Sequence, residues 1–396
     1  MKILVAAASF APNISGLQRH ALNLARCLML QAEVTELHFI IAPWQQSFMR
    51  AVGTGPRIAI HVAELERGPL SRNAWYYYEL PKLAAKQQAD LVHFTFPAPI
   101  NARAFHCPTV LTLHDLYPYE IPMNFGFPKF LFNRVILRQC LNNATAIACV
   151  SDTTRARLRQ YTPPAVWRKA VRIYNSVEAE LRCAARVPDP RWQDDPFLLS
   201  IAQHRRNKNL PLLIRTYHRL LRTARIGPQT RLIIVGIPGP ETHRLHELVS
   251  RSGLSGKVRF LEGISEPELL WCYLNCQALV APSLTEGFGL PVAEALIAGC
   301  PVVCSDIPAH REVGVGHCRF VPLNNRAEEA FADAIAAVVQ VPKPRPLSLP
   351  QFSAPVLARQ YVGLYRSLIS TARHAPSLKL RKPVTSPHPG GSYELR

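Results

Sequence analysis

The chain has 396 residues, which is long for a single hydrophobic core and suits two α/β domains. It carries 46 Lys and Arg against 27 Asp and Glu, and this net charge of +19 favours anionic partners such as nucleotides, anionic lipids or nucleic acid. No run of about 20 apolar residues occurs, so the sequence predicts no transmembrane helix.

The first half of the chain alternates predicted strands and helices. Residues 2–8 form an apolar run that ends before Pro12, which is short for a signal peptide and indicates a buried first strand. A turn at Ser15 and Gly16 then leads into a predicted helix over 17–30. Further strands are predicted over residues 37–41, 58–62, 90–94, 109–114 and 146–151, with a helix from Asp152.

A stretch rich in Pro, Asp and Arg at residues 186–196 predicts a linker, after which a second alternation begins. Its predicted elements are strands over 197–202, 231–235, 258–261, 278–281 and 301–304, and a helix over 210–223. The pattern therefore predicts an α/β fold of two doubly wound, Rossmann-like domains that face each other across a cleft.

The predicted domain division follows from this alternation. We expect a first domain at residues 1–185 and a second at 197–345, followed by a helix over 355–370 that returns to the first domain. Residues 375–396 are rich in Pro, Ser, Lys and Gly, which predicts a disordered tail.

The ten cysteines lie among apolar neighbours. Cys272 and Cys276, and likewise Cys300 and Cys304, have a C-x3-C spacing, which leaves zinc binding as an alternative. The first pair lies in a helical pattern and the second flanks a strand. We therefore favour reduced, buried cysteines of a cytoplasmic protein.

The segment from Pro282 to Leu296 carries the most chemical information. It follows an apolar strand and opens a helix, and Gly287 and Gly289 would let backbone N–H groups approach a ligand. Glu286 in the loop and Glu294 in the helix are eight residues apart, and carboxylates accept hydrogen bonds from sugar or ribose hydroxyls. A glycine-rich turn beside a surface glutamate is the alternative interpretation.

This segment resembles the E-x7-E motif of the retaining glycosyltransferases of the GT-B fold, specifically glycosyltransferase family 4. The resemblance includes the internal Gly-Phe-Gly-Leu-Pro and extends over residues 258–312 of the second half. It implies a hexosyltransferase that uses a nucleotide-sugar donor, retains the anomeric configuration and needs no metal or other cofactor.

The resemblance also implies roles for single residues. Glu294 would bind the ribose and Glu286 would lie near the transferred sugar. Lys208 would contact the donor diphosphate, together with Arg205 or Arg206. The backbone of Phe288, Gly289 and Leu290 would face sugar and phosphate, and the base pocket would begin at Gly263 and Ile264.

Two positions of the first domain resemble the family as well. Gly16 corresponds to a glycine-rich loop near the diphosphate, although Ser15 replaces the usual first glycine. His114, at a strand end, corresponds to a histidine that faces the donor sugar. The leaving phosphate would deprotonate the acceptor hydroxyl in a front-face displacement, so no protein base is assigned.

Two aromatic segments suggest the acceptor. Residues 125–138 combine aromatic side chains with spaced cations, which fits either a partly buried helix near the cleft or a membrane-surface element; residues 75–78 are similar. We expect a glycan or glycolipid acceptor, a cytoplasmic location, and an anionic membrane surface as an optional partner.

Three alternatives remain at this stage. A nucleotide-sugar epimerase or glycan phosphorylase would use the same fold, and the departures at Ser15 and Ser176 keep a non-catalytic homologue open. A nucleic-acid-binding protein is suggested by charge alone and lacks a recognisable motif, so no nucleic-acid partner is expected.

Overall fold

The computed structural model describes residues 1–9, 16–46, 55–177, 184–189, 193–314 and 316–374. Two parallel β-sheets follow one another along these residues, and each is covered by helices on both faces. The predicted α/β fold with two Rossmann-like sheets is confirmed. Ser15 and the predicted tail at 375–396 lie outside the described residues.

The first sheet contains the strands β1 Lys2–Ala6, β2 Glu36–Ile41, β3 Ile58–Val62, β4 Leu91–Phe94, β5 Thr109–Leu113, β6 Ala146–Cys149 and β7 Ala170–Arg172. They pair in parallel in the order β3-β2-β1-β4-β5-β6-β7. All residues of β4, β5 and β6 are buried, as expected for strands covered on both faces.

The helices of this part are α1 Gly16–Met29, α2 Pro69–Ala74, α3 Leu80–Lys86, α4 Tyr117–Glu120, α5 Lys129–Asn143, α6 Asp152–Tyr161 and α7 Pro164–Trp167. The predicted helix start at Asp152 is confirmed, because the Ser151 side chain accepts a hydrogen bond from Thr154 N and so caps α6. A π-helical segment covers Trp75–Glu79, and 3-10 turns cover Pro43–Gln45 and Pro122–Asn124.

The second sheet contains the strands β8 Phe197–Ile201, β9 Arg231–Val235, β10 Val258–Leu261, β11 Ala278–Ala281, β12 Val302–Ser305 and β13 Arg319–Val321. They pair in parallel in the order β10-β9-β8-β11-β12-β13. The sequence did not predict the edge strands β7 and β13, because each has only three residues, too few to show a periodicity.

The remaining helices are α8 Leu210–Arg222, α9 Thr242–Arg251, α10 Glu266–Asn275, α11 Leu290–Ile297, α12 Pro308–Gly314, α13 Ala327–Val339 and α14 Ala354–His374. Arg206–Lys208 and Pro350–Phe352 form 3-10 turns. Helix α14 is longer than the predicted 355–370, and its Leu357, Tyr361 and Tyr365 are buried in the core beside α1 and the first sheet.

The strand order explains where a ligand would bind. It reverses between β1 and β4 in the first sheet and between β8 and β11 in the second. In open α/β sheets, ligands bind beyond the carboxyl ends of the strands at such a switch point. Lys208 follows β8 and Glu286 follows β11, so the chain places both side chains at the switch point of the second sheet.

Candidate active site

Lys208 and Glu286 form an ion pair in the cleft. The Lys208 Nζ lies 2.6 Å from Glu286 Oε1, and the Ser283 hydroxyl donates to the same oxygen at 2.7 Å. Burial alone would raise the pKa of Glu286, but the nearby Lys208 and His310 and the two hydrogen bonds hold it below its usual range. The carboxylate is therefore ionised at neutral pH and fixed in place.

Side chains absent from the sequence prediction surround this pair. The Tyr117 hydroxyl of α4 donates to Glu286 Oε2 at 3.4 Å, and Asn207 Nδ2 donates to the Tyr117 oxygen at 3.1 Å. Asn124 Nδ2 in turn donates to Asn207 Oδ1 at 3.1 Å. These bonds connect the first domain to the Lys208 turn. In the sequence, Tyr117, Asn124 and Asn207 could have been noticed only because they lie near His114 or Lys208 along the chain.

Gly287 of the second domain packs directly against the first domain. Its carbonyl oxygen accepts hydrogen bonds from Thr154 Oγ1 at 3.0 Å and from the Ser151 hydroxyl. A Cβ at this position would lie 1.7 Å from the carbonyl oxygen of His114. The sequence suggested a close approach to a ligand, whereas here the glycine permits a close approach to the first domain.

A second contact between the domains is made by Glu312 of α12. Its carboxylate accepts hydrogen bonds from Asp152 N at 2.6 Å, Thr153 N at 3.0 Å and Thr153 Oγ1 at 2.9 Å. These donors form the first turn of α6, where unpaired N–H groups and the helix dipole favour a negative charge. Glu312 therefore binds the second domain to the first.

Glu294 bridges the domains at the other end of the cleft. Arg19 of α1 donates to its Oε1 at 3.1 Å, and the Tyr273 hydroxyl of α10 donates to its Oε2 at 2.6 Å. The side chains of Arg19 and Glu294 are 28% and 14% exposed, so water screens the pair only in part. A carboxylate has about four acceptor positions, which leaves capacity for ligand hydroxyls.

A cavity lies beside Glu294, between the two domains. Both domains line it: α1 contributes charged and polar groups, and α10 contributes apolar side chains and Tyr273. The lining residues are Arg19, Asn23, Arg26, Ser176, Glu266, Leu269, Leu270, Tyr273, Glu294 and Ala298.

His114 lies at the carboxyl end of β5, and its imidazole ring is neutral and hydrogen-bonded. Its Nε2 donates to the Thr95 carbonyl at 2.9 Å, and its ring makes an edge contact with His20 at 4.6 Å between centroids. Burial lowers the pKa of His114 to about 4. With Nε2 protonated, the neutral ring keeps Nδ1 as a hydrogen-bond acceptor.

His20 also belongs to a buried network of hydrogen-bonded polar side chains. His20 Nε2 and His93 Nε2 lie 3.2 Å and 2.7 Å from Thr112 Oγ1, and His93 Nδ1 hydrogen-bonds to the Tyr365 hydroxyl of α14. Burial lowers the pKa of His93 to about 3 and that of His20 well below its usual value. The histidines are therefore neutral at physiological pH.

The structure places the two candidate arginines differently. Arg205 stacks over Phe125 at 6.0 Å, on the first-domain side. Burial raises the pKa of the neighbouring Asp115 to about 6, while the Tyr117 N–H and the charge of Arg205 oppose the rise. Arg206 is more exposed and pairs with Glu241 at 3.6 Å. The geometry thus favours Arg205 for a role in the cleft.

Three predicted donor contacts lie in the loop before α11 and at its start. Phe288 is 4% exposed and packs against aromatic rings of the core, so only its backbone is available to a ligand. Gly289 has φ +98° and a Cβ there would meet the His310 ring at 3.3 Å, which requires glycine. Leu290 is partly buried against the core.

The two remaining predicted contacts are Gly16 and Ile264. Gly16 begins α1, the helix that carries Arg19. Ile264 packs against the second-domain core just before α10, whereas the cavity beside Glu294 is lined by Leu269, Leu270 and other residues of α10.

The cysteines fit the reduced state. None of the nine that the structure describes forms a disulfide, and Cys276 and Cys300 have their sulfur atoms 3.1 Å apart in the core. Over the described ranges, no group of three or more His, Cys, Asp or Glu side chains is arranged to hold a metal ion.

Comparison with known protein families gives two matches, one for each half of the chain. The family model for Glycosyltransferase Family 4 matches residues 14–181, and the model for Glycosyl transferases group 1 matches residues 186–346. Together they span most of the chain.

Two mannosyltransferases align with this chain over most of their own length. O-antigen chain mannosyltransferase B of Escherichia coli is 27% identical over 358 residues, which are 85% of this chain and 89% of that protein. O-antigen chain mannosyltransferase RfbU of Salmonella typhimurium is 28% identical over 300 residues, which are 74% and 77% of the two chains.

Solved structures share the fold. HepE of Anabaena, in complex with UDP and glucose, superposes with a TM-score of 0.66 at 18% identity and covers 93% of this chain and 100% of its own. Sucrose-phosphate synthase of Thermosynechococcus elongatus gives 0.69 at 19% identity and covers 93% and 99%.

The two facing Rossmann-like sheets, with their acidic and basic side chains in the cleft, define a GT-B protein. With both of its halves matched by glycosyltransferase models, the chain belongs to the group 1, family 4 glycosyltransferases. In the part of the chain that the structure describes, no helix is long and apolar enough to cross a membrane.

Proposed function

We propose that this glycosyltransferase moves a sugar from a nucleotide-sugar donor to a hydroxyl group of a glycan or glycolipid, with retention of configuration. The observation that carries the proposal is the buried Lys208–Glu286 pair at the switch point of the second sheet, in the same cleft as Glu294. A fixed cation and two carboxylates suit a diphosphate flanked by two hydroxyl-bearing groups.

The positions of these side chains along the cleft determine how the donor is oriented. Its ribose hydroxyls hydrogen-bond to Glu294, and its base enters the cavity lined by α10 and α1. The diphosphate lies near Lys208 and Arg205, and the sugar lies near Glu286 and His114. The neutral His114 accepts a hydrogen bond from a sugar hydroxyl through Nδ1.

The reaction breaks the bond between the sugar C1 and a phosphate oxygen and forms a bond between C1 and the acceptor oxygen on the same face. The acceptor proton moves to the departing diphosphate. Lys208 stabilises the negative charge that develops on that group, without a metal ion. Glu286 is a weak base because its pKa is lowered, and it stabilises positive charge on the sugar ring.

The relatives guide the choice of sugar and acceptor. Two similar proteins that align with most of this chain are O-antigen chain mannosyltransferases. Mannose and a glycan of the O-antigen type are therefore our first candidates for the donor sugar and the acceptor.

The test uses UDP-, GDP- and ADP-linked mannose and glucose, each with and without a lipid-linked glycan acceptor and with and without EDTA. We expect one donor to give an acceptor-dependent product with retained anomeric configuration, measured by NMR, and no effect of EDTA. Glu286→Gln should lower this rate by a factor of about 10² or more.

The matched control is Glu329→Gln, because Glu329 also pairs with an arginine, Arg219, but lies on the exposed surface. It should retain full activity. Epimerised or phosphorolysed sugar without acceptor transfer would favour the epimerase or phosphorylase, and a lack of turnover with every donor would favour a non-catalytic homologue.

A further inference from the structure

Helix α5 and the turn before it expose an unusual number of large apolar side chains. Phe127 is 81% exposed, Met123 66% and Val135 64%, and Leu131 and Phe132 are also exposed. These five residues are called the α5 patch. Leu131 and Val135 are one helical turn apart and lie on the same face of α5. Phe127 lies in the turn just before the helix.

The charged residues in and around the α5 patch are all positive. Residues 121–151 contain no Asp or Glu, while Lys129, Arg134 and Arg138 lie among the apolar residues. Lys129 and Arg138 are exposed, and Arg138 lies seven residues after Leu131, which places it on the same side of the helix. Arg134 instead donates to the Pro118 carbonyl and stacks on Tyr119, so it holds α5 to α4.

The residues on the opposite side of α5 explain why the α5 patch remains exposed to solvent. Leu137, Cys140 and Leu141 are buried in the first-domain core, which fixes the rotation of the helix. The exposed residues cannot turn inward without removing these three from the core. The patch is therefore a fixed surface of the folded domain.

The α5 patch lies next to the mouth of the cleft. The turn that carries Met123 also carries Asn124, which hydrogen-bonds to Asn207 of the Lys208 turn. The next residue, Phe125, contacts Arg205. A surface bound to the patch would thus face the edge of the cleft where Lys208 and Glu286 lie.

We propose that the α5 patch docks on an anionic lipid bilayer, with its apolar side chains in the interfacial region and Lys129 and Arg138 against acidic headgroups. Aromatic and aliphatic side chains flanked by cations suit this boundary, because the apolar atoms leave water while the charged groups stay hydrated beside the lipid phosphates. Docking would present the cleft to acceptors held in the membrane.

The test is co-sedimentation of the full chain with phosphatidylglycerol–phosphatidylcholine vesicles and with vesicles of phosphatidylcholine alone. We expect binding to the anionic vesicles that weakens as salt is added and is much weaker on phosphatidylcholine. The double variant Phe127→Asp, Val135→Asp should lower the bound fraction at least about tenfold.

The matched control is the double variant Leu70→Asp, Val341→Asp, since both side chains are similarly exposed, at 74% and 58%, and lie on other elements. It makes the same change in net charge and should bind vesicles nearly as well as the native chain. Equal loss in both double variants, equal binding to both vesicle types, or no vesicle binding by the native chain would overturn the proposal. A variant-dependent change from dimer to monomer without vesicle binding would assign the patch to self-association instead.

Discussion

The two glutamates of the cleft differ in where their cationic partners come from. Glu286 pairs with Lys208 of the same domain, and the pair is largely buried. Glu294 pairs with Arg19 of the other domain, and that pair is more exposed. The first pair survives any separation of the domains, whereas the second must break when they move apart.

One end of the cleft is therefore formed within a single domain, and the other end forms only when the two domains meet. The Lys208–Glu286 end is preorganised by Ser283 and by the turn after β8. The Arg19–Glu294 end is complete only when the domains are closed, and closure is held by Glu312 and by the Gly287 loop. We therefore expect substitutions at the two ends to affect chemistry and domain closure differently.

The largest effect is expected at Lys208. In the proposed mechanism Lys208 stabilises the leaving diphosphate, so Lys208→Ala should lower the turnover number by a factor of about 10²–10³. It also leaves Glu286 buried without its partner, which should lower the free energy of unfolding by about 3–5 kcal/mol.

Steady-state kinetics and denaturant unfolding measure both effects. Lys208→Arg, which keeps a cation, should recover most of the stability and only part of the turnover. Full turnover of the alanine variant would show that the fixed end of the cleft has no role in transfer.

Glu312 provides the test of closure. Its carboxylate accepts three hydrogen bonds from the start of α6, and bonds to charged groups contribute about 1.5–3 kcal/mol each at most. Glu312→Ala should increase the radius of gyration in small-angle X-ray scattering and raise the donor KM. An unchanged scattering curve would mean that the other contacts between the domains hold them together without Glu312.

The pH dependence of stability tests the buried histidines. Because folding lowers the pKa of His20, His93 and His114, the unfolded chain binds more protons below pH about 6.5, and stability is lost as the pH falls towards about 4. Asp115 acts in the opposite direction: burial raises its pKa to about 6, so its contribution to stability is lost as the pH rises through that value.

The three histidines outnumber the one aspartate, so unfolding experiments should show a net loss of stability from pH 7 to pH 5. In His114→Asn the slope should be smaller by up to about one proton. The same slope in the variant and the native chain would indicate that His114 is protonated in the folded protein.

The smallest effect is expected at Arg19. Partly exposed ion pairs contribute about 1 kcal/mol or less, so Arg19→Ala should change stability only slightly. It should open the ligand-free protein, as seen by scattering, while Lys208→Ala should not. If both variants open the protein equally, the contrast between the two ends of the cleft is wrong.

The features that depend on local sequence patterns, such as strand bounds and loops, were predicted well from the sequence. Apolar runs and turn residues located β3, β9, β10 and β11 to the residue, and the loop from Glu286 to Gly289 was recognised from its glycines and its spacing. Burial on both sheet faces makes β9 and β11 apolar over most of their length, and the partly buried edge strands β3 and β10 still carry mostly apolar residues.

Contacts between distant parts of the chain could not be predicted in this way. Arg19 and Glu294 are 275 residues apart, and neither residue type nor spacing indicates their pairing. The close approach of Gly287 to His114 likewise depends on how the domains meet. The choice between Arg205 and Arg206 needed the positions of Phe125 and Glu241, which only the folded chain provides.

The most direct test of the central claim, that the cleft binds a nucleoside diphosphate through Glu294, is thermal unfolding of the native chain and Glu294→Ala with UDP, GDP or ADP, with and without EDTA. A ligand at 100 times its dissociation constant adds about 2.7 kcal/mol to stability. We predict that one nucleotide raises the melting temperature of the native chain, that EDTA does not change this rise, and that Glu294→Ala abolishes it. No rise with any nucleotide, or an equal rise in the variant, would contradict the account.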